Sequence, residues 1–135
     1  MKEIVTYLNF DGNCREAMTF YGQCLSLELQ VMPFSREHCE VPPGAENRLM
    51  HSRLTKGSAP VLMASDTMPG MPFQIGNNFS VSAHFESVEE IDKAFAALGE
   101  GGAVVMPLQA TFWAARFGML KDRFGVHWMF SLDSK

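Results

Sequence analysis

The chain carries a diverged copy of part of itself, and no other feature constrains its fold as much. Asn13–Pro33 aligns without a gap on Ser87–Pro107, an offset of 74 residues (87 − 13). Asn13 falls on Ser87, both helix-capping types. Glu16 falls on Glu90, Ala17 on Ile91, Tyr21 on Phe95 and Cys24 on Leu98, and Val31-Met32-Pro33 falls on Val105-Met106-Pro107. The offset is about half of the 135 residues, as two tandem modules within one domain, residues 1–135, require. Module one spans about 1–66, a linker about 67–78 and module two about 79–135. Paired modules often build a cleft, and clefts hold ligands.

Patterning within each module gives the same order of elements. Residues 3–10 (EIVTYLNF) are β-branched and aromatic and read as a strand. Asp11-Gly12 breaks it, and Asn13 with Glu16 forms a capping-box-like pair. Ala17, Phe20, Tyr21, Cys24 and Leu25 then recur at helical spacing and predict one apolar face. Strands are expected at 27–34, 48–55 and 60–66, the last two joined by a hairpin at Lys56-Gly57-Ser58. The polar stretch Arg36–Asn47, with Pro42-Pro43-Gly44, reads as a flap or a long loop. In the second module a strand at 79–86 precedes a capping box of Ser87 and Glu90. Val88, Ile91, Phe95 and Leu98 supply the buried face of the helix, which Gly99–Gly102 ends. Strands follow at 103–109, 115–122 and 127–132. The doubled order β-α-β-β-β is an α+β fold.

Composition narrows the partners. Hydrophobic residues make up 47% and charged ones 19%, the balance of a soluble globular chain. A net charge of −4 without any Lys/Arg run argues against nucleic acid, which demands a concentrated basic surface. No apolar stretch approaches the roughly 20 residues of a membrane span. The first ten residues read as a strand and not as a signal peptide, which together with three cysteines of no zinc spacing points to the cytoplasm. Cys14, Cys24 and Cys39 read as reduced packing residues.

The doubled order resembles the vicinal oxygen chelate superfamily, which holds glyoxalase I, bleomycin-resistance proteins and extradiol dioxygenases. Two stretches are similar to its PhnB-like (demethylubiquinone methyltransferase-like) branch: Phe10–Tyr21 (FDGNCREAMTFY) and Thr111–Trp128 (TFWAARFGMLKDRFGVHW). His51 and Leu62–Asp66 (LMASD) also look like that branch. The resemblance implies two modules forming a curled sheet and a cup; the strand edges of each half-cup, which would otherwise stay unpaired, predict a homodimer. In metal-dependent members of the superfamily a divalent cation in the cup polarises a substrate oxygen as a Lewis acid. The ligand positions carried over fall on Tyr7, Ser80, Met129, and Met63 or Ser65. These are poor ligands for such a cation, so no metal and no cofactor are expected.

The residues expected to line the cup are Tyr7, His51, Trp113, Arg116, His127 and Met129, with His51 the best candidate for a catalytic base or anchor. A structural histidine is the competing reading of His51. The guanidinium of Arg116 could clamp a carboxylate or phosphonate, or form a rim salt bridge. Trp128 and Phe130 are placed by alternation on the helix-covered face, and Asp66 reads as a turn cap. His38, beside Cys39, does not make a site alone. Ten methionines, among them Met63, Met68, Met71, Met119 and Met129, suit either core filling or a flexible apolar lining. No glycine-rich strand-to-helix turn with a following ribose-binding acid is visible, so the methyltransferase label finds no support. The resulting expectation is a PhnB-like protein binding a small molecule without the usual metal. The alternatives are a metal-dependent isomerase, lyase or dioxygenase, and a sequestering resistance protein without catalysis.

Overall fold

The computed structural model describes residues 1–35, 41 and 43–134. His38, Cys39 and most of the expected flap lie outside the described residues. The chain divides into two compact units, Met1–Gln74 and Ile75–Lys135, with the boundary inside the expected linker.

In the first unit the elements are β1 (Tyr7–Phe10), α1 (Cys14–Leu25), β2 (Glu28–Pro33), β3 (Leu49–Lys56) and β4 (Ala59–Asp66). They form one sheet of order β1-β4-β3-β2, with β1 parallel to β4 and the other pairs antiparallel. The first strand is shorter than expected, beginning at Tyr7 and not at Glu3. The hairpin between β3 and β4 turns on Gly57-Ser58, where Gly57 takes φ +63°, a region that glycine enters at little cost.

Helix α1 buries Cys14, Ala17, Met18, Tyr21 and Gly22 against the sheet. Cys24 and Leu25, expected on that face, are only half-buried, and so is Phe20. Asn13 makes no capping hydrogen bond with its side chain. The start of the helix is served from a distance by Asp66, at the end of β4. Its Oδ1 accepts from the backbone N–H of Gly12 (2.8 Å) and Cys14 (3.0 Å), and its Oδ2 accepts from Leu49 N–H (2.8 Å). This buried carboxylate ties together β4, the entry to α1 and the first residue of β3. A negative charge at a helix N-terminus is also favourable.

In the second unit the elements are β5 (Val81–Phe85), α2 (Val88–Leu98), β6 (Ala103–Gln109), β7 (Ala114–Lys121) and β8 (His127–Asp133). The sheet order is β5-β8-β7-β6, with β5 parallel to β8. The fold is thus α+β, two tandem β-α-β-β-β modules. The repeat offset holds for β1 and β5 (81 − 7 = 74) and for α1 and α2 (88 − 14 = 74). It falls to 65 by β3 and β7 (114 − 49), because the connection before β7 is shorter.

Here the Ser87 half of the expected capping box is present, whereas Glu90 returns its bond to the residue before the cap. Ser87 Oγ accepts from Glu90 N–H (3.1 Å), and Glu90 Oε1 reaches back to Glu86 N–H (3.1 Å). Ile91, Ala94, Phe95 and Leu98 are buried, whereas Val88, expected on that face, is exposed in the first turn. Trp128 and Phe130 lie on the helix-covered face as expected. Phe130 stacks on Phe85 (5.2 Å, 13°) and meets Phe95 edge-on (5.2 Å, 89°). Such pairs add about 0.5–1.5 kcal/mol beyond burial. Among the described residues, no helix is long and apolar enough to cross a membrane.

Candidate functional site

Side chains alternate across a strand, so each four-stranded sheet has one face under its helix and one face without it. In the first unit Leu8, Phe10, Leu54, Leu62, Ala64 and Ser52 are buried under α1. Ser52 Oγ donates to Ala64 O (2.8 Å) and lies 3.5 Å from Cys14 Sγ. Burial, with a smaller opposing effect of the Ser52 hydrogen bond, pushes the Cys14 thiol up to about 11. At neutral pH it is a protonated packing group and not a nucleophile.

The opposite face is built from two cross-strand rows. Register pairs Tyr7 with Met63, Met63 with Arg53 and Arg53 with Gln30. The adjacent row contains Asn9 paired with Ser65, and His51 paired with Met32. On this face Tyr7 Oη lies 3.0 Å from His51 Nδ1, and the rings stack at 5.7 Å and 26°. The structure therefore brings together two of the residues singled out from the sequence, 44 positions apart and on non-adjacent strands. Tyr7 is 44% exposed and His51 is half-buried.

The chemistry of the pair follows from its tautomer. If the tyrosine hydroxyl donates to Nδ1, the ring proton sits on Nε2, which is then a donor. If Nδ1–H donates to the phenol oxygen, Nε2 is an unprotonated acceptor and a potential base. Either way Nε2 remains without a partner among the described residues.

Sequence reasoning missed a second polar contact on this face. Arg53 Nε donates to Gln30 Oε1 (2.7 Å), so the guanidinium is held by its neighbour on β2. Arg53 forms no ion pair with a carboxylate among the described residues. A single arginine in a strand has no motif around it. Only the alternation shared with His51, two residues away, could have drawn attention to it.

In the second unit the face without α2 carries His127 and Met129, paired with Lys121 and Met119. Phe117, paired with Ser131, lies there too, and Trp113 meets it edge-on (5.5 Å). Trp113 also packs on Phe112 (4.7 Å, 81°), and both are well exposed. Ser82 Oγ lies 3.0 Å from His84 Nε2 on the neighbouring edge strand. Arg116 does not join this group. Three positions from Met119, it emerges on the helix side and lies 3.6 Å from Asp92 of α2, an ion pair half-open to solvent. The structure thus separates Arg116 from His127 and Met129 within the same sheet.

The end of the C-terminal stretch that carries the resemblance, Asp122 to Trp128, proves to be architecture. Buried Asp122 accepts from Phe124 N–H (2.8 Å) and Val126 N–H (3.0 Å) through Oδ1 and from Trp128 Nε1–H (2.9 Å) through Oδ2. It closes the β7–β8 turn and fixes the indole in the core. An open depression of about 450 Å³ beside this turn is lined by Ile75, Gly101, Gly102, Lys121 and Arg123 among others. It contains none of the residues expected to line the cup. Much of its wall is turn backbone.

The positions onto which the resemblance carries a cation's ligands are Tyr7 and either Met63 or Ser65, on β1 and β4, Met129 on β8, and Ser80 just before β5. All are neutral, and none is a carboxylate or an imidazole. No group of three or more His, Cys, Asp or Glu placed to hold a metal occurs among the described residues. This donor set does not fit a hard divalent cation.

Comparison with known proteins agrees with the architecture. A profile of the family described as 3-demethylubiquinone-9 3-methyltransferase matches residues 2–131. The crystal structure of protein PA1353 from Pseudomonas aeruginosa aligns with a TM-score of 0.88 at 45% identity, over 100% of both chains. A PhnB protein from Bacillus cereus aligns with a TM-score of 0.77 at 32% identity, over 97% of this chain and 99% of that one. A glyoxylase/bleomycin resistance protein/dioxygenase domain from Frankia sp. EAN1pec shares the fold, with a TM-score of 0.70 at 13% identity over 100% and 94% of the two chains. The chain belongs to the family described as 3-demethylubiquinone-9 3-methyltransferase, with a PhnB protein among its relatives, and has the fold of the glyoxylase/bleomycin resistance protein/dioxygenase domain.

Proposed function

We propose that this PhnB-like protein binds a small organic molecule on the face of its first sheet that carries Tyr7 and His51. The observation behind this reading is the 3.0 Å contact between Tyr7 Oη and His51 Nδ1 on that face. The pair positions the imidazole and leaves Nε2 to meet a ligand as donor or acceptor. Met63 and Met32, cross-strand neighbours in the two rows, supply adaptable apolar contact. His127, Met129 and Trp113 offer a second, more apolar surface on the other unit's sheet.

No divalent metal enters this reading, since the side chains at the family's ligand positions do not fit one. Methyl transfer does not enter it either. The strand-to-helix turns are Asp11-Gly12-Asn13 and Glu86-Ser87, neither of them a glycine-rich cradle for a nucleotide. The protein is proposed to work as a homodimer.

A thermal-shift screen of small acids, phosphonates and aromatic compounds tests the binding. A ligand of the folded state raises the melting temperature by mass action, by about 2.7 kcal/mol of stability at one hundred times its dissociation constant. Hits are expected to lose most of their shift in His51→Ala and part of it in Tyr7→Phe. Hits whose shifts are unchanged in both variants would place binding elsewhere.

A further inference from the structure

We propose that Arg53 is an anion anchor, which makes the ligand of this face a small monocarboxylate. The inference rests on the Tyr7–His51 reading and names the class of molecule that face receives. Arg53 shares the face with His51, two residues along β3 and therefore about 7 Å away. Its Nε is already engaged by Gln30 Oε1 at 2.7 Å, which fixes the plane of the guanidinium. The outer N–H groups of the two terminal nitrogens remain, a fork whose spacing matches the two oxygens of a carboxylate.

Charge decides between oxyanions. The chain is acidic overall, with a net charge of −4, yet this arginine has no carboxylate partner among the described residues. The other side chains of the two rows, Tyr7, Met63, Gln30, Asn9, Ser65 and Met32, are neutral. One guanidinium balances one negative charge, so a monoanionic carboxylate is matched and a dianionic phosphonate is left half-compensated. The bound acid directs its apolar body over the methionines and a polar group, where it has one, toward His51 Nε2. Gln30 is a positioning residue in this scheme.

The test compares three ring-matched probes by NMR titration: benzoate and benzyl alcohol at pH 7, and phenylphosphonate, with benzoate repeated beside it, at pH 8.5, where the phosphonate is a dianion. Benzoate is expected to give saturable shifts of the Arg53 Nε–H signal and the His51 ring, and to bind at least ten-fold more tightly than benzyl alcohol. Phenylphosphonate should bind no tighter than benzoate. Arg53→Met, an exposed substitution, should weaken benzoate roughly 10–100-fold, as loss of a charge-assisted pair predicts, and leave benzyl alcohol unchanged. Arg53→Lys should recover only part of the affinity, since it restores the charge without the fork. Gln30→Ala should cost a few-fold. The proposal is overturned if benzoate leaves Arg53 unperturbed, if Arg53→Met binds it as wild type does, or if phenylphosphonate binds more tightly. Should His51→Ala abolish binding of benzoate and benzyl alcohol while Arg53→Met changes neither, the anchor fails and the Tyr7–His51 site stands. Wild-type affinity in both variants removes both.

Discussion

Two buried residues show how local chemistry sets stability apart from function. Thr55 is 4% exposed, and its hydroxyl has no hydrogen-bond partner among the described residues. An uncompensated buried hydroxyl costs on the order of 1–3 kcal/mol. Thr55→Val keeps the branched shape and removes that cost. Its expected effect is a gain of about 1 kcal/mol, or about 3–4 °C in melting temperature for a chain of this size; a loss would mean that the hydroxyl is satisfied. Cys14 titrates the other way from a reactive cysteine. Its folded pKa of about 11 stands above an ordinary value near 9, so the stability it contributes is whole below pH 9 and is lost as pH rises through 11. Alkylation by iodoacetamide at pH 8 should therefore reach Cys14 only at the rate of opening, and after half-buried Cys24. Fast labelling of Cys14 in the native protein would contradict its placement.

At the level of elements, the β7–β8 turn hangs on one carboxylate. Asp122→Ala leaves two backbone N–H groups and the Trp128 indole N–H without their acceptor. A loss of roughly 2–4 kcal/mol is expected, at the upper end for one substitution. Urea unfolding would measure it, with Asp122→Asn losing less because one acceptor remains. A change below about 0.5 kcal/mol would show that the turn holds itself. Gly102, just before β6, is fixed for a different reason: a Cβ there would collide with the Lys121 carbonyl and the Asp122 backbone.

These elements also show what the chain discloses before folding. Ser87 and Glu90, three apart before an apolar run, make the Ser87 half of their capping box, because both partners are local. Asn13 and Glu16 have the same spacing, but the buried carboxylate of Asp66, more than fifty residues away, holds the N–H groups at the start of α1. No local pattern reports that. Trp128 and Phe130 were legible from alternation. The same rule, counted from Met119, sets Arg116 on the helix side, where Asp92 meets it. Within the candidate site, His51 and Tyr7 were legible individually through the resemblance. Their contact was not, since it depends on the strand order β1-β4-β3. Arg53 was legible only through the alternation it shares with His51, and Gln30, its cross-strand partner, carries no motif.

For the whole molecule, the internal repeat is realised as two units of the same element order, each with its own sheet and helix. Several edge-strand residues are exposed and apolar: Val104 (53%) and Val105 (60%) on β6 of the second unit and, to a lesser degree, Val31 and Met32 on β2 of the first. Unpaired apolar edges invite association. Sedimentation equilibrium at micromolar concentration is expected to give twice the chain mass, and the mass of a single chain would contradict the proposed homodimer. The central claim concerns where a ligand sits, and mapping of amide and ring shifts with the strongest hits of the small-molecule screen addresses it most directly. The expected result is a cluster of perturbed signals at Tyr7, His51, Arg53, Met63 and Ser65, lost in His51→Ala, which itself should melt within a few degrees of wild type. Perturbations confined to the depression at Gly101, Gly102 and Arg123, or a His51→Ala protein destabilised by roughly 1–3 kcal/mol as a buried structural histidine would be, would contradict it.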